Sequence, residues 1–300
     1  MVDLIITAIP AFILLLVVEA LSFHLAGHDH GHEDGLIGYD AADTRTSLAM
    51  GLGNVFINLG WKAVVLATYA VLYELSPLKL SAGDWWVWVL LFFADDFSYY
   101  WYHRAGHRIR LLWASHVVHH SSEHYNLSTA LRQTWTPMGG ILFWAWMPLA
   151  GFAPWMIFLA MSWNLLYQFW IHTERITKLP RWFEFVFNTP SHHRVHHGSQ
   201  DQYLDKNYGG ILIIWDRMLG TYEPERERVR YGLTTNIETH NPVRVAFHEY
   251  VAIWKDMRGA RRLRARLGFL LGPPGWSPAP ARAETKSGRE RVPSAAGTTA

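Results

Sequence analysis

The chain has 300 residues, half of them hydrophobic and 17% charged, with a formal net charge of +2. That balance is too weakly basic to imply a nucleic-acid partner, and the apolar residues come in long blocks, which points to a membrane protein. No cysteine is present, which excludes disulfides, thiolate metal sites and a chain-held iron–sulfur cluster, so any electrons must come from an external donor.

Leu4 to Phe23 is apolar over about the twenty residues that a bilayer crossing needs, with Glu19 as its charge. A cleaved signal peptide is the rival, but neither a basic leader nor an A-x-A site accompanies the stretch, so a retained span is expected. His24 to Arg45 contains HDHGHEDG, a composition suited to metal scavenging or, as favoured here, to a solvated loop. Ser47 to Tyr73 is a second apolar block, carrying Asn54, Asn58 and Lys62. Its GLGN lacks the third glycine and the βαβ surroundings of a dinucleotide fingerprint.

Trp85 to Tyr102 is expected to form a third span that runs directly into His103. Carboxylates inside a span are costly unless paired or functional, and this one holds Asp95 and Asp96. Asp96 lies two helical turns before His103, where it is a candidate hydrogen-bond acceptor for a ligating imidazole; an interfacial acid paired with Arg104 is the alternative. Thr136 to Gly151 and Ala153 to Ile171, parted by Gly151 and Pro154, are expected as a helical hairpin that returns the chain and sets His172 beside the first histidines.

From Thr173 the chain is polar and rich in arginine, and Trp254 to Leu271 is a basic helical stretch. Lys and Arg gathered near the histidines and in the C-terminal third place that side in the cytoplasm. The basic stretch suits anionic headgroups or a solvated face equally. Four regions are expected: membrane helices over 1–84, a metal-site domain over 85–222, a cytoplasmic helical segment over 223–272 and a disordered tail over 273–300.

The histidines carry the chemistry. His103 and His107 stand four apart, and His116, His119 and His120 form H-x-x-H-H. His193, His196 and His197 repeat that pattern, and His192 offers an alternative register four before His196. Helical residues three and four apart share a face. One ion takes about four to six ligands, so eight or more gathered imidazoles imply two metals. Imidazole suits iron, zinc, copper or nickel, and spacing alone does not choose among them. Oxidation of a lipid at the membrane surface is the leading reading. Hydrolysis with Glu123 or Glu174 as base, and a non-catalytic metal-binding or transport protein, are the alternatives.

HRAGH from His103, HVVHH from His116 and HRVHH from His193 resemble the three boxes of the fatty acid hydroxylase and sterol desaturase superfamily, over roughly Trp85 to Tyr222. HHSSEHYNLSTALRQ, QFWIHTE, NTPSHHRVHHG and DKNYGGILIIWDRMLGTYEPE are similar to its alkylglycerol monooxygenase branch. The resemblance implies an all-α, polytopic membrane helical bundle with a cytoplasmic helical cap carrying a histidine-rich di-metal site. It further implies two iron ions, dioxygen, a membrane lipid substrate and tetrahydrobiopterin as an external reductant. By position the ligands would be His103, His107, His116, His119, His120, His172, His193, His196 and His197; apart from the resemblance, Asp96 by its spacing and Glu174 as the acid near the boxes are expected as outer partners. Tyr125, Asn126, Asn207, Tyr208, Trp215 and Asp216 match neighbouring motif positions, where packing or support is expected. The Ala, Gly and Arg usage suits a bacterial inner membrane. Sterol, fatty-acyl and other lipids remain alternative substrates for hydroxylation or desaturation.

Overall fold

The computed structural model describes residues 4–29 and 35–278. Among them the structure is all helical, with one isolated bridge from Phe187 to Leu212 in place of any strand. In chain order α1 spans Leu4–Asp29, α2 Ala41–Leu75, α3 Trp85–Arg108 and α4 Arg110–His120. After two single-turn 3-10 segments come α5 (Ile141–Trp144), α6 (Trp146–Leu149) and α7 (Pro154–Trp170). The C-terminal part holds α8 (Arg181–Val186), α9 (Pro190–His196), α10 (Ile214–Leu219), α11 (Pro242–Gly259) and α12 (Leu263–Leu271).

Two of these helices, α1 over Leu4–Leu25 and α2, are long and apolar enough to cross a membrane. Both turn large apolar side chains outward, among them Leu14, Val18, Leu52, Phe56 and Leu59. At about 1.5 Å per residue α2 outruns a hydrocarbon layer of about 30 Å. Its first turns instead bury Asp43, Thr46, Ser47 and Met50 within the protein.

Of the hairpin expected from Thr136 to Ile171, the second arm is α7 and the first, Thr136 to Gly151, is corrected by the structure. Pro137–Gly140 is a 3-10 turn, and α5 and α6 have four residues each. Pro137 and Pro148 lack the amide hydrogens that a continuous helix needs, so the apolar run folds as a broken plug. That plug packs Trp144 and Met147 against Tyr69 of α2, Leu91 of α3 and Met156 and Ile157 of α7. The loop expected from His24 is shortened as well, because α1 continues to Asp29; the rest of the HDHGH tract, from His30, lies outside the described residues. Of the tail expected from 273, the first residues form a turn in which Trp276 meets Phe269 edge-on at 5.2 Å, and 279–300 lie outside the described residues.

Buried polar struts fix the helices around the histidines. Asp95 of α3 accepts from Trp144 Nε1 (2.8 Å) and Asn164 Nδ2 (3.0 Å), tying α3 to α5 and α7. Glu19 of α1 accepts from the Leu127 amide at 2.8 Å and from the hydroxyls of Tyr39 and Thr173. One carboxylate thus holds the chain just beyond each of two histidine-bearing segments. Arg132, 1% exposed, donates to Asp43 at 2.7 Å and to Ser121 at 3.1 Å.

Removing one member of a buried ion pair strands the other, at a cost of about 3–5 kcal/mol. Arg132→Met should therefore lower the melting temperature of the detergent-purified protein sharply, and Arg132→Met/Asp43→Asn should recover much of the loss. Equal melting of the single and double variants would refute the pairing.

Candidate metal centre

α3 and α4 meet at Ile109, so the end of one and the body of the other form a V that carries His103, His107, His116, His119 and His120. Pro190 starts α9, which faces that V with His193 and His196, and His197 follows at its C-terminal end. His172 stands just beyond α7. These nine imidazoles fall into two groups: His103, His107, His116, His120 and His196, then His119, His172, His193 and His197. Within each group the candidate ligand nitrogens lie within 4.8 Å of one another. The groups adjoin, with His120 and His197 stacked at 4.4 Å across the boundary.

This partition gives the H-x-x-H-H spacing a physical meaning. The first and last histidines of α4, His116 and His120, stand one helical turn apart and serve the first group, while His119 turns to the second. α9 does the reverse: His193 and His197 serve the second group and His196 the first. Each box therefore gives two ligands to one side and one to the other.

The far ring nitrogens fix the orientation. His103 Nδ1 donates to the Tyr208 carbonyl (2.8 Å), His196 Nδ1 to the Lys206 carbonyl (2.9 Å) and His172 Nδ1 to the Gln168 carbonyl (2.7 Å). Each bond leaves Nε2 unprotonated and directed inward. Nε2 of His103 and His116 then stand 2.9 Å apart, His116 and His120 3.0 Å, His119 and His172 3.1 Å, and His172 and His193 3.0 Å. Nε2 of His107, His196 and His197 is buried with no hydrogen-bond partner. The convergence of the ring nitrogens within each group fits a shared cation. Ligands about 2.1 Å from an ion stand about 3.0 Å apart at right angles and about 3.4 Å apart in a tetrahedron. Spacings of this size are within reach of one ion per group, and imidazole donors suit iron among other transition metals.

Burial keeps these rings neutral. The imidazoles of His116, His120, His172, His193, His196 and His197 lie well below the usual range, first because of desolvation and then through neighbouring histidines. His119 is pushed down to about 4, chiefly by burial. A neutral imidazole is the form that binds metal.

Three expectations change at this point. Asp96 touches no histidine: its carboxylate accepts from the amides of Ile211 (2.7 Å) and Leu212 (3.1 Å) and from Trp215 Nε1 (2.9 Å). His103, two turns on, has already given its proton to the Tyr208 carbonyl, so the acid works on the loop that supplies that carbonyl. Gly210 permits the approach, since a Cβ there would stand 3.0 Å from Asp96 Oδ1 and 2.5 Å from Asn164 Oδ1. Glu174 likewise misses the imidazoles and accepts from the Ile37 amide (2.9 Å) and the Tyr231 hydroxyl (3.2 Å). With Glu123 exposed on the surface, neither acid is in place as a hydrolytic base. His192 points away from both groups, its Nε2 3.1 Å from Glu184 Oε2, so His193 occupies the inward position.

The carbonyls of Lys206 and Tyr208 are the main parts that sequence reasoning missed, because a backbone acceptor has no side-chain signature. The detectable signal was Asp205 and Asn207, which take left-handed φ of 59° and 55° that such residues tolerate. Asp216 holds the turn by accepting from the amides of Tyr208 and Gly209, both at 2.8 Å. Tyr125 lies 5.1 Å from the His197 ring and stacks on Tyr231 at 4.8 Å.

A cavity of about 330 Å³ leads to the centre. Its walls come from bilayer-suited α1 and α2, with Ile5, Phe12 and Val65, and from α3 and α7, with Tyr102 and Phe158. At its inner end are His116 of the first group and His119 and His172 of the second. His116 and His119 are the two imidazoles of the centre that are not fully buried.

Residues 88–221 match the family model described as fatty acid hydroxylase. This segment is a fatty acid hydroxylase domain. The chain is also similar to alkylglycerol monooxygenase of Homo sapiens, 40% identical over 277 residues that cover 90% of this chain and 59% of that protein. Against alkylglycerol monooxygenase of Danio rerio it is 44% identical over 241 residues, 79% of this chain and 53% of the relative. Ornithine lipid hydroxylase OlsE of Rhizobium tropici is 26% identical over 153 residues, 47% of this chain and 44% of the relative. The chain thus spans just over half the length of the animal relatives it matches. No solved structure matches it.

If each group holds one ion, His193→Ala should lower the iron bound to the purified protein by about half, and His192→Ala should leave it unchanged, as read by elemental mass spectrometry. The reverse result would exchange the two positions.

Proposed function

We propose that the chain is a membrane-bound di-iron monooxygenase that oxidises a C–H bond of a lipid with dioxygen, and that ether-lipid cleavage is its specific reaction. The observation that carries this reading is the apolar cavity, walled by helices suited to the bilayer and ending on histidines of both groups. An extended apolar chain can reach the centre along it without passing through water, and a closed site protects the reaction from side hydrolysis. His103, His107, His116, His120 and His196 would hold one iron and His119, His172, His193 and His197 the other. When bound, the two irons supply the reductive activation of dioxygen.

The chain's own residues supply position and dryness. The carbonyls of Tyr208, Lys206 and Gln168 orient imidazoles, and Tyr99, Tyr102 and Trp144 wall the cavity. One oxygen atom goes to the carbon beside the ether oxygen, and two external electrons with two protons reduce the other to water. The resulting hemiacetal separates into a fatty aldehyde and an alcohol. The names of the alkylglycerol monooxygenases at 40% and 44% identity support the ether-lipid form, and tetrahydrobiopterin is the reductant proposed with it. The likeness to an ornithine lipid hydroxylase favours, as second reading, hydroxylation of another membrane lipid. The arginine-rich chain beyond the histidines supports a cytoplasmic orientation of the centre, and we propose a bacterial plasma membrane from the residue usage.

Membranes containing the chain, given an alkylglycerol and tetrahydrobiopterin, should release a fatty aldehyde, and those with His119→Ala should not, although that variant stays in the membrane fraction. Aldehyde from both would sink the metal assignment; another lipid gaining one oxygen would move the substrate to that lipid. Met161→Trp narrows the cavity without touching a histidine. It should cut kcat/KM for a long-chain substrate roughly tenfold, about 1.4 kcal/mol of lost binding, while bound iron is unchanged.

A further inference from the structure

We infer that α11 and α12 together form an in-plane anchor that binds anionic lipid headgroups on the histidine side of the bilayer. On α11 the large exposed apolar residues are Val243, Phe247, Val251 and Trp254. At 3.6 residues per turn they fall within an arc of about 80°. Arg244 and Lys255 border that arc along one edge, and Arg258 lies over the Trp254 ring at 4.6 Å. On α12 the pattern repeats with Leu263, Leu267 and Leu271, 71%, 46% and 55% exposed, flanked by Arg264 and Arg266. An apolar stripe edged by long cationic side chains is the form of a helix lying at a headgroup boundary, where the stems cover apolar surface and the charges reach phosphate.

Charge and position select the bilayer as occupant. Residues 242–272 contain seven Lys and Arg against two acids. Both acids are already engaged, since Arg110 donates to Glu249 at 2.7 Å and to Asp256 at 2.6 Å. The outer face is therefore cationic, and lysine or arginine near an anionic leaflet contributes attraction of about 1 kcal/mol each. The inner face of α11 packs Val245 and Ala246 against Met50 of α2. The exposed stripe faces away from that contact, while Leu48 and Leu52 of α2, on either side of Met50 in the chain, are themselves exposed and suited to lipid.

The anchor is joined to the metal centre. Val118 of α4, between His116 and His119, packs on Val245 and Ala246. Arg110 opens α4, donates its amide to the Gly272 carbonyl at 2.9 Å and holds both acids of α11. Tyr250 donates to Thr136 Oγ1 at 2.8 Å, and Thr136 and Thr134 hydrogen-bond with Ser115 at the cavity wall. Headgroup binding thus supports the helix that carries three candidate ligands.

The absence of cysteine makes the test direct, because a single introduced cysteine takes a unique label. Val251→Cys, Leu267→Cys and, as a control on an exposed polar turn, Asp201→Cys would each carry an environment-sensitive dye. The proteins go into nanodiscs, one copy each, of phosphatidylcholine with or without phosphatidylglycerol. With phosphatidylglycerol the labels at 251 and 267 should shift to the blue and be quenched by lipid-attached nitroxide, whereas that at 201 is quenched by aqueous iodide. The shift at 267 should shrink without the anionic lipid and be lost with Arg264→Glu/Arg266→Glu. Iodide quenching at 251 and 267 equal to that at 201 overturns the anchor. Burial of the labels irrespective of phosphatidylglycerol overturns headgroup recognition, and burial only in discs loaded with two copies assigns the face to a second copy instead. None of these readings depends on bound iron or turnover, so they stand apart from the test of the proposed reaction.

Discussion

Nine imidazoles, seven of them fully buried, converge in two adjoining groups, and the surrounding structure is arranged around the cost of holding so many polar rings away from water. Three of the rings are locked by backbone carbonyls at 2.7 to 2.9 Å, which fixes their protons on the outside. Desolvation lowers the affinity of these three rings for a second proton, and the neutral imidazole is the form that binds metal. The division into two groups follows from the angular spread within one helix face, because at about 100° per residue the histidine three positions on diverges by about 100° from the one four positions on. Two short helices with the same spacing, placed face to face, thereby build two adjoining sites.

The price of this concentration of ligands is structural, and buried polar struts meet it. Asp96 and Asp216 bind amides of the 208–212 turn, which in turn offers the Tyr208 carbonyl to His103. Glu19 draws α1 onto the segments that follow the second box and His172. A carboxylate within an apolar helix is stable here because amides and hydroxyls satisfy it. These acids act through the backbone, at one remove from the imidazoles.

The cavity brings apolar helices and that polar centre together. Helices α1 and α2 present apolar faces to the outside, and together with α3 and α7 they enclose a space whose inner end is formed by His116, His119 and His172. Breaking the chain at Pro137 and Pro148 supplies the plug that closes one side. The same break explains why a continuous apolar run does not become a spanning hairpin.

The sequence by itself determined the all-helical class, the first two apolar helices and the nine histidines, because those signals are local: hydrophobic run length and spacings of three and four. Side-chain motifs over the middle of the chain also carried its likeness to fatty acid hydroxylases. Only the tertiary structure decided which histidine joins which group, since that depends on how the histidines of α4 and α9 face each other. It likewise set His193 inward and turned His192 toward Glu184. Spacing placed Asp96 on the right side of the helix for His103, yet the acid binds a loop that arrives more than a hundred residues later. The carbonyls that orient the rings were illegible for the same reason: backbone acceptors are shared by every residue, and only the folded path says which of them an imidazole meets.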